Sequence, residues 1–155
     1  YMSQWRDWPL LKRPIWYAFD KEGSAQEWVR GVILLGNPLI MWAGVLALLV
    51  CARDWIVERS RVAFLVLAFY AAFYLSWVMI PRKVSFYYYY YPAGMVLSLA
   101  LAYVLHSSWL KRAPWFKWVF LAASFAVFVY FFPVLAALRI PSDNFRKWMW
   151  FTSWI

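Results

Sequence analysis

Cysteine and histidine are almost absent from this sequence, which has one of each, Cys51 and His106, among 155 residues. A single cysteine excludes a disulfide within the chain, and Cys51 lies at the end of an apolar run as a small apolar filler. One histidine without cysteine partners makes no cluster of metal ligands, so His106 is interpreted as an interfacial residue. The sequence therefore predicts neither a metal site nor a bound cofactor.

Charge is also scarce, and acidic residues are scarcer than basic ones. Only 15% of the residues are charged, with 7 Asp and Glu against 16 Lys and Arg, giving a net charge of +9. A soluble domain carries about 25% charged residues. Because the basic residues lie in short segments between apolar runs, we expect membrane lipid headgroups or a lipid-linked phosphate as partners, and no nucleic acid.

Apolar residues make up 66% of the chain, and aromatic residues alone make up 24%. Four runs without full charges are 19–22 residues long, which at 1.5 Å per residue spans a hydrocarbon core of ~30 Å. Barrel strands would be ~10 residues long and alternate in polarity. The sequence therefore predicts an all-α membrane protein with four transmembrane helices, at Val32–Ala52, Val62–Ile80, Val84–Leu105 and Trp118–Leu138.

Aromatic and basic segments flank the four helices. Four crossings put both segments on the same side of the membrane, and the short link Pro81-Arg82-Lys83 lies on that side too. We divide the chain into an interfacial segment 1–30, a helix bundle 31–139 and an interfacial tail 140–155. The positive-inside rule would place this side in the cytoplasm, because it carries ten of the 16 Lys and Arg. The first segment also carries four carboxylates, so charge alone does not decide the orientation.

The strongest candidate for a binding site is the pair Arg82 and Lys83 in the link between the second and third helices. Tyr87 to Tyr91 follow within two turns, and a helix N-terminus adds partial positive charge and free N–H groups. These groups could bind a lipid phosphate, with tyrosine hydroxyls as further donors. The alternative is a turn that faces headgroups above an aromatic belt.

Two other segments carry candidate residues. The stretch from Trp5 through Trp8 to Arg13 interleaves rings and charges as an interfacial helix or loop does; surface anchoring is the simpler interpretation. Asn37 is a polar residue near the start of the first predicted helix. It could bond a neighbouring helix or line a cavity.

Several motifs recur in the same order as in one known family. They are Tyr1-Met2-Ser3-Gln4-Trp5, Trp8-Pro9-Leu10-Leu11, Arg13-Pro14-Ile15-Trp16-Tyr17, Gly36-Asn37-Pro38, Pro81-Arg82-Lys83 with Phe86 to Pro92, and the closing Trp154-Ile155. Over essentially its whole length the chain resembles the C-terminal four-transmembrane region of the protein O-mannosyltransferases. Many members have a histidine within the aromatic run, where this chain has Tyr89. The family's basic residue matches either Arg82 or Lys83.

The resemblance implies part of a larger multi-spanning GT-C fold and an inverting glycosyltransferase without a metal or cofactor. Such enzymes move mannose from a polyprenyl-phosphate carrier to Ser or Thr of a protein. Their catalytic carboxylate lies in the N-terminal half of the polypeptide, so no catalytic residue is expected in these 155 residues. The resemblance implies that Arg82 and Lys83 bind the lipid phosphate, with Arg13, Tyr88 and Tyr89 as weaker candidates. It also implies that the termini and link 81–83 are extracytoplasmic, in a bacterial inner membrane.

Two alternatives remain at this point. An enzyme of the same class could use a lipid A or cell-wall acceptor, because nothing in the chain specifies the sugar or acceptor. A non-catalytic four-helix membrane scaffold would have the same hydropathy pattern.

Overall fold

Four long helices dominate the structure, a computed structural model that describes residues 2–23, 27–80, 82, 84–107 and 113–155. Their apolar spans are each 19–21 residues and are long and apolar enough to cross a membrane. The span of the third helix includes the 3-10 turn before it. This confirms the predicted membrane protein with four spanning helices. The helices are α1 (Pro38–Glu58), α2 (Arg61–Met79), α3 (Tyr91–His106) and α4 (Trp115–Leu135).

The predicted start of the first helix at Val32 is wrong, because α1 begins at Pro38. Asn37 ends the preceding extended segment and caps the helix: its Oδ1 accepts hydrogen bonds from the N–H groups of Leu39 at 3.1 Å and Ile40 at 3.3 Å. Proline fits the first helical turn, where its missing N–H would have no intrahelical partner. Asn37 is therefore the cap and not a residue inside the helix.

The predicted start of the third helix at Val84 is also wrong. Residues 84–86 are not helical, a 3-10 turn covers Tyr87–Tyr90, and α3 follows from Tyr91. The connection from α2 is thus longer than the three residues predicted; Pro81 and Lys83 lie outside the described residues. α4 begins three residues earlier than predicted, and Pro133 is accommodated near its end.

A three-stranded antiparallel sheet, which the sequence analysis did not predict, lies beside the helices. Its order is β1 (Ile15–Glu22), β2 (Trp28–Leu34) and β3 (Ile140–Pro141). The stretch from Trp5 to Arg13, predicted as a helix or loop, is a 3-10 turn at Trp5–Asp7 followed by a loop. The β-hairpin of β1 and β2 follows this stretch and ends close to α1. Along β2 the buried residues alternate at Val29, Gly31 and Ile33, which is the period of a strand with one packed face.

The sheet joins the two flanking segments of the chain. β3 pairs with the start of β2, and the indole N–H of Trp16 donates to the carbonyl of Trp154 at 2.6 Å. The indole N–H of Trp154 in turn donates to the carbonyl of Leu11 at 2.6 Å. Both segments thus lie at one end of the bundle, here called the sheet end, as the number of crossings predicted. The three-region division stays a prediction.

Helix α1 is the centre of the bundle and contacts α2, α3 and α4. Gly44 of α1 lies against the backbone of α3, where a Cβ atom would be 2.5 Å from Cβ of Leu97 and 3.3 Å from its Cα. Small residues permit such close approach between membrane helices. The helices α2 and α4 bury the smallest shares of their apolar spans, 11% and 17%.

Candidate functional site

A polar cavity of about 600 Å³ lies at the sheet end. Three separate parts of the chain form it: the segment before β1, the link between α2 and α3, and the tail. Three of its lining residues are cations, Lys12, Arg13 and Arg82, and Asp7 is its one carboxylate. We call it the cation cavity; its lining residues are Met2, Ser3, Gln4, Asp7, Lys12, Arg13, Arg82, Ser85 and Ser153.

Two aromatic rings hold the side chain of Arg82. Its guanidinium carbon lies 5.4 Å from the ring centre of Trp77 and 5.7 Å from that of Tyr89. Those two rings are stacked at 4.4 Å, and Nη1 of Arg82 donates a hydrogen bond of 3.4 Å to the Tyr89 hydroxyl. A cation held by ring faces keeps its outward N–H groups available for an anion.

Reciprocal hydrogen bonds tie the link to the first segment. The Ser3 N–H donates to the Ser85 carbonyl at 3.0 Å, and the Ser85 hydroxyl donates to the Ser3 carbonyl at 2.6 Å. Ser3 is itself buried and accepts a 2.8 Å hydrogen bond from the Trp8 indole N–H. These bonds hold Arg82 opposite the turn that carries Lys12 and Arg13.

Lys12 and Arg13 are positioned by their own partners. The ammonium of Lys12 lies 3.8 Å from Asp7, a loose and exposed pair that adds little stability. Nη1 of Arg13 donates to the Met2 carbonyl at 3.4 Å. The Ser153 hydroxyl bonds the Lys12 carbonyl, so the tail supports this turn from behind. The cavity thus has a net positive lining with solvent access.

A second cavity, of about 260 Å³, shares Gln4, Arg82 and Ser85 with the first. It lies toward the end of α2 and is lined by three indole rings. We call it the tryptophan cavity; its lining residues are Gln4, Trp5, Arg6, Trp8, Trp77, Val78, Ile80, Arg82 and Ser85. The shared residues form the boundary between the two cavities, and Val78 and Ile80 line the second one at the end of α2.

The structure brings most of the predicted site residues together. Arg82 and Arg13 line one cavity, Trp5 and Trp8 line its neighbour, and Tyr89 bonds Arg82. Tyr88 does not line either cavity; it is 40% exposed and stacks on Phe86. Lys83 lies outside the described residues. The roles of these residues in binding stay predictions.

Sequence reasoning missed Lys12, Trp77, Ser85 and Ser153. Only Lys12 had a usable signal, as the basic neighbour of Arg13. Trp77 is hidden within an apolar run, and Ser153 is 141 residues from the carbonyl that it bonds. Those contacts depend on tertiary structure.

Asn37 has a structural position away from the cation cavity. Besides capping α1, its amide N–H donates to the Ser124 carbonyl of α4 at 2.8 Å. It also lines a small cavity of about 240 Å³ between α1 and α4. One side chain therefore joins two helices that have few other contacts.

Replacing Asn37 by alanine is expected to destabilise the bundle by about 2 kcal/mol, from the lost cap and the lost interhelical bond. Asn37→Asp keeps the cap acceptor but loses the amide donor, so it should lie between Asn37→Ala and the parent. Denaturant titration of the full-length protein in detergent measures both. Equal stability of all three proteins would contradict the prediction.

Comparisons with known proteins converge on one family. The sequence model described as the C-terminal four TMM region of protein-O-mannosyltransferase matches residues 1–154. Two similar proteins are named polyprenol-phosphate-mannose–protein mannosyltransferase, one from Mycobacterium tuberculosis, 28% identical over 163 residues, and one from Mycolicibacterium smegmatis, 26% identical over 160 residues. Each alignment covers 95% of this chain and 31% of the relative. The chain thus spans about a third of the length of these curated relatives.

Proposed function

We propose a function from the family to which the chain belongs, the C-terminal four-transmembrane region of the protein O-mannosyltransferases. The chain would bind the lipid phosphate of a glycosyl donor. The full-length polypeptide would transfer mannose from a polyprenyl-phosphate carrier to Ser or Thr of a protein. The observation that carries the proposal is the convergence of Lys12, Arg13 and Arg82 on one solvent-accessible cavity at a membrane end.

The charge of the cavity supports a phosphate ligand. Three cations face one carboxylate, and two of the cations are arginines, whose planar groups can contact two phosphate oxygens at once. The cation–π contacts of Arg82 with Trp77 and Tyr89 fix its position before the ligand arrives. Preorganised donors of this kind stabilise charge without reorganisation during the reaction.

The tryptophan cavity is the proposed place for the start of the lipid chain of the same ligand. It borders the cation cavity at Arg82, and Val78 and Ile80 line it at the end of α2. A polyprenyl phosphate has a charged head and an apolar chain, so it could occupy both chambers with its chain toward the lipid-facing surface of α2. Trp5 and Trp8 would then form one wall around the first isoprenoid unit.

The proposed reaction is an inverting transfer of mannose. The acceptor hydroxyl oxygen attacks the anomeric carbon, the bond from that carbon to the phosphate oxygen breaks, and the proton moves to a carboxylate from the N-terminal half of the polypeptide. The leaving polyprenyl phosphate gains negative charge as the bond breaks. The three cations would stabilise that charge, so this region assists the step without supplying its base. We expect no metal or cofactor to take part.

The orientation is part of the proposal. A protein that has crossed the membrane receives mannose on the far side, so the sheet end would be extracytoplasmic. The membrane would be a bacterial inner membrane. Part of the surplus of Lys and Arg at this end, namely Lys12, Arg13 and Arg82, would then serve phosphate binding and not orientation.

Membranes that contain the full-length polypeptide are expected to transfer labelled mannose from polyprenyl-phosphate mannose to a peptide with one threonine, releasing polyprenyl phosphate. Chromatography of the peptide measures the product, and a threonine-to-valine peptide is the control. Transfer to lipid A or cell-wall glycan instead of the peptide would overturn the proposed acceptor. No transfer to any acceptor would indicate a non-catalytic scaffold.

A further inference from the structure

Strand β1 is the outer strand of the sheet and pairs with β2 alone among the described residues. Its residues Tyr17 to Lys21 are all exposed. An unpaired edge presents a row of free N–H and C=O groups, and folded proteins usually shield such edges or use them to bind another strand. After an irregularity between Trp16 and Ala18, the pairing with β2 is regular from Ala18 to Glu22. The regular part is therefore a five-residue template for an added strand.

The edge leads toward the cation cavity. Arg13 lines that cavity and lies five residues before Ala18. At ~3.4 Å per residue, the distance along the chain from Arg13 to the regular edge is roughly 17 Å at most. An extended chain that pairs with β1 could therefore continue directly to the place where the donor phosphate is proposed to bind.

The chemistry of the edge fits a polypeptide better than a lipid. Its exposed charges, Asp20 and Lys21, are opposite in sign, so it does not attract phosphate. The exposed aromatic residues of the strand, Tyr17 and Phe19, project from the faces of the sheet, so the edge itself presents backbone groups. Main-chain hydrogen bonds are nearly independent of side-chain identity, which suits a partner whose sequence varies.

We propose that the open edge of β1 binds the acceptor polypeptide as an additional strand and delivers its hydroxyl to the cation cavity. This inference rests on the proposed function. The edge pairs with a segment of the acceptor about five residues from the reactive Ser or Thr. Recognition at that segment depends on backbone N–H and C=O groups and on an extended conformation.

A scan of acceptor peptides, each with one reactive threonine and one N-methylated peptide bond, tests the proposal with the full-length enzyme. Only every second N–H of an added strand faces the edge. The KM for the peptide should therefore rise about three- to tenfold at alternate positions, the effect of losing one hydrogen bond. The first sensitive position should lie about five residues from the threonine, given the spacing along β1. The donor KM should not change.

A pair of variants tests the protein side. Ala18→Lys adds a second lysine to an edge strand that already has Lys21. Added charge on an edge opposes strand pairing, so this variant should raise the KM for the peptide without changing that for the donor. Leu138→Lys adds the same charge at an exposed position of the sheet end outside β1 and should leave both unchanged.

The outcomes separate this inference from the function on which it rests. Normal mannose transfer with a flat N-methyl scan would overturn edge binding and leave the proposed function intact, as expected if another segment of the polypeptide covers β1. No transfer to the unmodified peptide would overturn the proposed function, and the inference with it. Effects at consecutive positions would also overturn it, since strand pairing alternates.

Discussion

Arg82→Ala is expected to lower kcat/KM for the polyprenyl-phosphate donor by roughly 100-fold, the effect of removing one preorganised donor from a developing negative charge. Among the described residues, Arg82 is the only cation that lines both cavities. Its guanidinium contacts the rings of Trp77 and Tyr89. Its side chain lies in an exposed link, so the free energy of unfolding should change little. Initial rates at varied donor concentration, with full-length enzyme in membranes, give the comparison.

Two further variants make the result specific. Arg82→Lys keeps the charge but loses the two-pronged contact, and should recover part of the activity. Arg61→Ala removes an exposed arginine at the opposite end of α2 and should have little effect. Unchanged donor kinetics in Arg82→Ala, with the protein still folded, would contradict the assignment of the phosphate site.

Gly44→Ala is expected to destabilise the helix bundle by up to about 3 kcal/mol, the cost of overpacking a tight contact. The new methyl group would meet Cβ of Leu97 at 2.5 Å and the Leu97 carbonyl oxygen at 3.2 Å. Backbone atoms cannot rotate away, so α1 and α3 must separate. Because α1 also contacts α2 and α4, the shift would spread through the bundle.

Gly94→Ala is the matched control, since it makes the same substitution in α3. Its methyl group would meet only the flexible end of Met41, with Cε at 3.0 Å and Sδ at 3.4 Å. Rotation of that side chain relieves the contact, so a loss below about 1 kcal/mol is expected. Denaturant titration of full-length proteins in detergent measures both, and equal losses would contradict the packing argument.

The four spanning helices could be predicted because length and hydropathy decide them, whatever their neighbours. The same rule caused the error at the first helix. Residues 32–34 belong to an apolar run that continues into α1, yet they form part of β2, which buries alternate residues. Asn37-Pro38 was the available signal, because an N-cap residue followed by proline marks a helix start.

The sheet and the cavity were harder to predict for a physical reason. β3 has only two residues, too few for a periodic pattern, and it pairs with β2 more than a hundred residues away. Arg13 and Arg82 were separate candidates from their sequence context. That they line one cavity depends on the Ser3–Ser85 pair and on the contacts of the tail, none of which leaves a local signature.

The bonds from Ser153 and Trp154 to the carbonyls of Lys12 and Leu11 also bear on when the cation cavity can form during biosynthesis. When α1 to α3 have been synthesised, both arginines of the cation cavity are present. The residues that support the turn of Lys12 and Arg13 have not yet been made. That support arrives only when the segment that follows α4, with Ser153 and Trp154, has been translated. The cation cavity therefore cannot reach its complete form before the segment after α4 has been made.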